Sequence, residues 1–150
     1  MPHQHTHCIN GALHTAEKIC SEKGLRLTPL RKQVLELVWA DHKAVKAYDI
    51  IEKMSTHTHE VKPPIVYRTL DFLLENNFIH KLHSENAFIG CPHSESDDHK
   101  AIFVICKKCM TVEETLVPEA ISSIEKNLRD KGYTQLQPHI EVSALCKNCA

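Results

Sequence analysis

The sequence predicts an α+β protein with two parts, a helical first half closed by a β-hairpin and a smaller second half in which strands flank one helix. Three observations support this fold class. Four helix-like segments follow one another in residues 13–77, and two short apolar runs surround a turn in residues 78–91. Two C-x-x-C pairs then follow strand-like runs in residues 101–150. Helices followed by a small hairpin indicate a winged helix-turn-helix, whose wing is the hairpin.

The first two helices are predicted from their end signals and from apolar periodicity. Residues 13–24 end on Gly24, a residue type that is common just after a helix. In residues 28–40, Thr28 is a candidate N-cap and Pro29 occupies the first helical position. Apolar side chains at helical spacing predict one buried face for this segment, formed by Leu30, Val34, Leu37 and Val38.

Two further helices and the hairpin complete the first half. A short helix is predicted over residues 47–56, and a longer one over residues 62–77, between a double proline and two asparagines. The apolar runs of residues 78–91 flank the turn-forming sequence Ser-Glu-Asn of residues 84–86, which predicts the hairpin. The inward stripe of the fourth helix is predicted to contain Val66, Leu70, Leu73 and Leu74.

The second half alternates between strand-like and helix-like segments. Residues 101–106 and 111–117 are predicted strands on either side of the first C-x-x-C pair. A third strand is predicted over residues 134–146, where Pro138 favours an edge position or a bulge. Residues 118–132 predict a helix between the second and third strands. The apolar stripe of this helix is predicted to contain Ala120, Ile121, Ile124 and Leu128.

Shifts in composition along the chain predict four regions. Residues 1–12 are a predicted disordered tail, residues 13–91 the winged-helix domain, residues 92–100 a polar hinge and residues 101–150 a second domain. The second half of the chain has only about 60 residues, and a unit of that size buries about 60% of its unfolded surface, so this half is expected to need a metal ion, a partner subunit or both. Metal-binding residue types in the tail are His3, His5, His7 and Cys8.

The overall composition is that of an ordinary globular protein, with a hydrophobic fraction of 42% and a charged fraction of 25%. No apolar run approaches the roughly 20 residues of a membrane span, and residues 1–10 lack the apolar middle of a signal peptide, so a cytoplasmic location is expected. Residues 1–83 contain eleven basic and nine acidic side chains, whereas residues 84–150 contain seven and ten. A nucleic-acid surface is therefore expected in the first half.

The cysteines indicate a metal site. Seven cysteines, an odd number, argue against a disulfide framework in a reducing compartment. Two C-x-x-C pairs, each after an apolar run, fit a tetrahedral zinc site, because the spacing lets both sulfurs of a pair reach one ion. A redox dithiol is the alternative, but it favours one pair at the start of a helix. Cys20 is expected to be a buried small residue. The four candidate ligands are Cys106, Cys109, Cys146 and Cys149.

A second set of metal-binding residue types consists of His80, Cys91, His99 and Glu114. The chain has 12 histidines, and any one of them is commonly a solvated surface residue. His80 and Cys91, however, lie on opposite arms of the predicted hairpin, and Glu114 lies on a strand that the first cysteine pair anchors. Imidazole and thiolate also suit zinc. These features make the set a candidate for a second metal site, although its spacing alone does not establish one.

Five segments of the chain resemble the ferric uptake regulator family of bacterial metalloregulators, and most of all its zinc-sensing branch. They are LRLTPLRKQVLEL, AYDIIEKM, KPPIVYRTLDFLLENNFIHK, FVICKKC and ALCKNC. The resemblance covers residues 13–150, and the run PPIVYRTLDFL followed by two C-x-x-C pairs is specific. It implies a zinc-responsive transcriptional repressor, not an enzyme, that binds operator DNA as a homodimer and controls zinc uptake genes. The second domain would be the dimerisation domain.

The resemblance also implies two zinc ions per chain. A structural ion is implied on Cys106, Cys109, Cys146 and Cys149, and a regulatory ion on His80, Cys91, His99 and Glu114. Glu113 is adjacent to Glu114 and remains an alternative ligand. One ion held by ligands from both halves would lock the angle between them.

Two other functions are alternatives. A sensor of iron, manganese or peroxide would belong to the same family, but iron-sensing members typically have an H-x-H cluster where this chain has Ala-Ile-Phe at residues 101–103. A zinc hydrolase would need an open position on the metal, and four protein ligands leave none. If Glu114 were a general base instead, three ligands would remain and a hydrolase would again be possible.

The fourth predicted helix carries candidate DNA contacts. Arg68 lies opposite its inward stripe, and a guanidinium in that position can bond guanine O6 and N7. Tyr48 and Tyr67 are candidates for contacts with bases or phosphates, although a half-buried Tyr67 is the alternative. Candidate phosphate contacts are Lys62, Arg26 and Arg31. For each of these three, a solvated surface charge is the alternative.

Overall fold

The structure, a computed structural model, describes residues 5–56, 59–95 and 100–150. The chain forms two compact units, residues 1–97 and residues 98–150. The first contains four helices and a hairpin, and the second contains a three-stranded sheet and one helix. The predicted α+β class, with a winged helix-turn-helix followed by a small α/β unit, is confirmed. None of the helices in the described ranges is long and apolar enough to cross a membrane.

The helices of the first unit follow the sequence signals at their ends. They are α1 His5–Lys23, α2 Pro29–Trp39, α3 Ala47–Met54 and α4 Pro63–Glu75. Gly24 follows α1 with a φ of 67°, the left-handed conformation that ends many helices. At the start of α2, the Arg31 N–H donates to Thr28 Oγ1 over 3.3 Å. The predicted N-cap and the predicted C-cap are therefore both confirmed.

α1 begins at His5, well before the predicted start at residue 13. The prediction of a disordered tail over residues 1–12 is therefore wrong for residues 5–12. Extending a helix that packing already holds adds one hydrogen bond per residue, whereas starting one is costly. Ala16 and Ile19 anchor the helix in the core, so the preceding turns can continue it. Residues 1–4, which include His3, lie outside the described residues.

The hairpin consists of β1 Ile79–Leu82 and β2 Ala87–Gly90, which pair antiparallel. Its turn covers residues 83–86, so the predicted hairpin is confirmed. Val45 adds a short bridge to the outer side of β2, where its N–H donates to Phe88 O over 2.9 Å. The hairpin is therefore tied to the segment that precedes α3.

The core of the first unit lies between its helices and the hairpin. The predicted inward faces are confirmed, because Val34, Val38, Val66, Leu70 and Leu73 are all fully buried. Each buried side chain of this size contributes roughly 1.5–3 kcal/mol relative to an exposed one. Partly buried residues at the margin of this core include Leu30, Leu37 and Leu74. α4 is therefore held by one face, and its opposite face is solvent-exposed.

The second unit is a sheet of three strands with the order β4-β3-β5. Its elements are β3 Ala101–Cys106, β4 Val112–Leu116, α5 Pro118–Asp130 and β5 Glu141–Ala144. β3 and β4 pair antiparallel, whereas β3 and β5 pair parallel. The third strand is shorter than the predicted range of residues 134–146, because Pro138 has no N–H to donate to a ladder. β5 begins after this proline and lies at a sheet edge, as predicted.

The inner face of α5 differs from the predicted apolar stripe. Ile121 is buried, but Ala120 and Ile124 are exposed in this chain. Glu125 takes an inner position, because Lys100 Nζ donates to Glu125 Oε2 over 2.8 Å. This hydrogen bond from Lys100 lowers the pKa of the Glu125 carboxyl and keeps it ionised. A prediction from apolar periodicity assigns every charged residue to the exposed face of a helix. The inward position of Glu125 was therefore missed.

Candidate metal centres and nucleic-acid interface

The second unit brings its four cysteines together at one end of the sheet. Cys106 is the last residue of β3, and Cys109 lies in the turn that follows. Cys146 and Cys149 lie at the turn that follows β5. One sulfur from each residue lies within 4.8 Å of the other three. β3 and β5 are parallel neighbours, so the turns that follow them emerge at the same end.

The two C-x-x-C turns share one type of backbone hydrogen bond. The Met110 N–H donates to Cys106 O over 2.9 Å, and the Ala150 N–H donates to Cys146 O over 2.9 Å. The Cys146 N–H also donates to Cys106 Sγ over 3.4 Å, which links one turn to the other. Both pairs follow strands, and neither begins a helix, so the geometry does not favour the redox dithiol.

The pKa values of Cys106, Cys109 and Cys149 are shifted by their contacts within the cluster. Backbone N–H groups, first that of Cys109 and then that of Cys146, lower the pKa of the Cys106 thiol to about 5. The Thr111 hydroxyl lowers the pKa of Cys109. The hydrogen bond with the Cys146 thiol raises the pKa of Cys149 to about 12. Four thiolates this close repel one another, and a divalent cation removes that repulsion. A tetrahedral zinc ion fits this donor set.

Glu113 and Glu114 point to opposite faces of the sheet, because successive side chains of a strand alternate. Glu113 pairs with Val104, is exposed, and lines a cavity of about 680 Å³ beside the four cysteines. Glu114 pairs with Phe103 and is half-buried, and both of its carboxylate oxygens are buried. The two carboxylates therefore lie in different environments: that of Glu113 is on the face beside the cysteine cluster, and that of Glu114 is on the opposite face.

The hairpin of the first unit brings His80 and Cys91 together. His80 lies on β1 opposite Ile89, and Cys91 directly follows β2. A ring nitrogen of His80 and the Cys91 sulfur lie within 4.8 Å of each other. The Cys91 N–H donates to Phe78 O over 3.1 Å, and the residue is only 2% exposed. His99, the next predicted ligand along the chain, lies outside the described residues.

The exposed side of α4 and the start of α3 carry the predicted DNA contacts. Arg68 is exposed, and within the described part of the chain its guanidinium has no hydrogen-bond or ion-pair partner. Tyr48 is 72% exposed and Tyr67 is 51% exposed, so about half of the Tyr67 surface is buried and half is open to solvent. Lys62 is the exposed N-cap residue of α4. These four side chains are available to a ligand of the first unit.

Arg31, a predicted phosphate contact, also makes contacts within the first unit. Its guanidinium lies over the Phe72 ring, 3.6 Å from the ring centroid, and donates a hydrogen bond to Arg26 O. It therefore links α2 to α4 and to the segment before α2, which is a structural role. The sequence could not show this role, because Phe72 is far from Arg31 along the chain.

Two lysines that sequence reasoning did not select accompany the tyrosines. Lys46 and Lys81 line a cavity of about 230 Å³ together with Tyr48, Tyr67 and Asn86. Lys46 is the N-cap residue of α3, and Lys81 lies on the first arm of the wing. The signals available were their positions directly before a predicted helix and on the predicted hairpin.

The chain is similar to known metalloregulators over most of its length. The family model described as Ferric uptake regulator family matches residues 22–143. The Zinc uptake regulation protein of Escherichia coli (strain K12) is 38% identical over 138 residues, which are 91% of this chain and 80% of that protein.

Two solved structures share both the fold and much of the sequence. Holo XcZur has a TM-score of 0.85 and 39% identity, over 93% of this chain and 97% of that one. A zinc uptake regulator complexed with zinc and DNA has a TM-score of 0.84 and 37% identity, over 94% of each chain. With the family model covering most of its residues, this chain belongs to the ferric uptake regulator family.

Proposed function

We propose that this chain is a zinc-responsive transcriptional repressor that, when loaded with zinc, binds operator DNA as a homodimer and controls zinc uptake genes. The observation that carries the proposal is the cluster of four thiols in a unit that follows a winged-helix unit. The relatives named above add support, since one is a zinc uptake regulation protein and another was solved with zinc and DNA. Such a repressor acts in the cytoplasm, where its operators are.

The first zinc ion is proposed to be structural. Its ligands are Cys106, Cys109, Cys146 and Cys149, whose sulfurs already converge. The ion would join the ends of β3 and β5 and contribute folding free energy to a unit of few residues. Four thiolates fill a tetrahedral zinc ion and leave it no open position, so this ion is not expected to be catalytic.

The second zinc ion is proposed to be regulatory, with the ligands His80, Cys91, His99 and Glu114. Two observations support this ligand set. His80 and Cys91 lie side by side on the hairpin, and the Glu114 carboxylate is buried while that of Glu113 is not. With four protein ligands the ion has no place for an activated water, which disfavours a hydrolase. Residues 101–103 offer no ligand, which disfavours an iron, manganese or peroxide sensor.

The regulatory ion would act by restricting the hinge. His80 and Cys91 belong to the first unit and Glu114 belongs to the second, so one shared ion would limit their relative motion. Ordering a free hinge costs conformational entropy when DNA binds, and a zinc-loaded chain has already lost that freedom. Two recognition helices must reach major grooves about 34 to 36 Å apart. Zinc would therefore shift the population towards a dimer that fits DNA.

Homodimerisation through the second unit is supported by its exposed apolar surface. In the single chain, large apolar side chains of this unit remain at the surface, and β5 has one edge that the described strands leave unpaired. Such a surface and such an edge are normally covered by a partner. The exposed residues are Leu116, Ile124, Tyr133, Val142 and Leu145.

Arg68→Ala is expected to weaken sequence-specific DNA binding by about 1–3 kcal/mol per half-site, because a bidentate contact to one base is lost. Zinc content and fold should persist, since Arg68 is exposed on α4. Binding is measured by fluorescence anisotropy on an operator and on random DNA. Lys126→Ala is the control, because it removes an exposed positive charge from α5. An equal loss on both DNAs would make Arg68 a phosphate contact and would contradict its role in base recognition.

The proposed function is tested by metal content and DNA selection together. Purified protein should contain up to two zinc ions per chain, and zinc-loaded protein should select one family of sites from a random DNA library. Affinity for the selected site is then measured with zinc, ferrous iron or manganese, and after chelation. Zinc should strengthen binding most. Weaker binding with zinc would refute the repressor, and a stronger response to iron or manganese would favour another sensor of this family.

A further inference from the structure

We propose that Trp39 is a positioning residue for Cys91, and that its contact with Gly90 determines where the Cys91 sulfur is held. The inference rests on the proposed function, because it concerns the regulatory zinc site. It adds to that site a residue that binds no metal itself and that lies on a different element, α2.

Gly90 and Trp39 are in close contact. A Cβ atom added to Gly90 would lie 2.3 Å from Trp39 Cε2, 2.5 Å from Nε1 and 2.6 Å from Cδ2. Ordinary carbon contacts are about 3.5–4.0 Å, so no side chain fits there. Gly90 is not among the described glycines with positive φ, which are Gly24 and Gly132. The glycine is therefore required for space and not for backbone conformation, and the indole lies directly on the end of β2.

Cys91 is the next residue, and its backbone is held on both sides. Its N–H donates to Phe78 O over 3.1 Å, and Ser94 Oγ donates to its carbonyl over 2.9 Å. Trp39 and Cys91 also line the same cavity, whose volume is about 270 Å³. A movement at Gly90 must therefore move Cys91 or break one of these hydrogen bonds.

Packing alone holds the indole in this position. Trp39 Nε1 is buried, and in the ranges that the structure describes it has no hydrogen-bond partner. A buried N–H without an acceptor is unfavourable, so the contact with Gly90 and the core must outweigh that cost. Residues behind a metal ligand commonly orient it, and their loss typically lowers metal affinity about 10–100-fold.

Gly90→Ala is expected to lower the affinity for the second zinc ion about 10–100-fold, while the structural ion stays bound. Affinity is measured by competition with a chromophoric chelator, on protein whose four-cysteine site is filled. Cobalt in place of zinc gives a second readout, since the intensity of the thiolate-to-cobalt band reports on the Cys91–metal bond. Gly11→Ala is the matched control, because Gly11 lines the same cavity and its added methyl meets no atom within 4 Å.

Trp39→Leu keeps the test decisive if Gly90→Ala fails to fold. Like Gly90→Ala, it should lower the affinity for the second zinc ion. The double variant Trp39→Leu/Gly90→Ala should bind this ion more tightly than Gly90→Ala alone, because the smaller leucine leaves room for the added methyl group. Trp39 is the single tryptophan, so the tryptophan fluorescence of the protein reports on this residue alone. Its emission should change when the second zinc ion binds to wild type, and it should not change when zinc is added to Cys91→Ser.

Wild-type affinity and an unchanged cobalt band in folded Gly90→Ala would overturn the positioning role. So would a double variant whose loss equals the sum of the two single losses, because the residues would then act independently. A wild-type protein that takes up no second zinc would instead refute the regulatory site itself. The two failures are therefore distinguishable.

Discussion

Cys109→Ser is expected to remove one zinc ion per chain and to abolish the dimer. Cys109 Sγ lies 3.8 Å from Cys146 Sγ, and a serine hydroxyl does not replace a thiolate as a zinc ligand at neutral pH. In small zinc domains the metal contributes about 10–16 kcal/mol of apparent folding free energy. The second unit has a three-stranded sheet and one helix, so it has little core to compensate for the loss.

The number of zinc ions per chain is measured by elemental mass spectrometry, and the oligomeric state is measured by analytical sedimentation. Cys20→Ala is the control, since Cys20 is a buried cysteine of α1, where burial raises its pKa, and it belongs to neither ligand set. This control should keep its zinc and its dimer. A Cys109→Ser protein that remains dimeric with its full zinc content would refute the four-cysteine assignment.

Cys91→Ser is expected to separate regulation from folding. The variant should be folded and dimeric and should keep the structural zinc, because the four cysteines of that site lie in the second unit. It should lose the second, more exchangeable zinc. Wild type should bind its operator roughly 5–150-fold more tightly when zinc is added, the range of typical coupling between two ligands, whereas Cys91→Ser should show no zinc dependence.

Operator binding is measured by fluorescence anisotropy with and without added zinc. The zinc content of each protein is measured as well. Cys8→Ser is the matched control, because it makes the same substitution on α1, outside both proposed ligand sets. If Cys91→Ser still binds more tightly with zinc, the His80, Cys91, His99 and Glu114 site is not the sensor. If wild type binds less tightly with zinc, the proposed direction of regulation is wrong.

Short-range chemistry explains which parts of the fold could be predicted. The cap at Thr28, the left-handed Gly24 and the turn at residues 83–86 depend on neighbours within a few residues, and the structure has all three. The inward face of α4 follows from helical periodicity. The C-x-x-C spacing likewise places the two sulfurs of each pair together, whereas the parallel pairing of β3 with β5 brings the two pairs to the same end of the sheet.

Pairing across the chain explains the parts that sequence reasoning missed. Arg31 stacks on Phe72, and Glu125 turns inward to meet Lys100, and in both cases the partner is distant in sequence. The start of α1 at His5 was missed for a related reason, because packing further along the helix supports a segment whose own signals are weak.

The sequence by itself determined the fold class, the two cysteine pairs and the family to which the chain belongs, because spacing and periodicity are local properties. Only the tertiary structure decided that Glu114, and not Glu113, has a buried carboxylate, since that depends on which face of the sheet is covered. Only the tertiary structure placed Trp39 on Gly90, because residues on α2 and β2 meet when the chain folds and no local pattern records that contact.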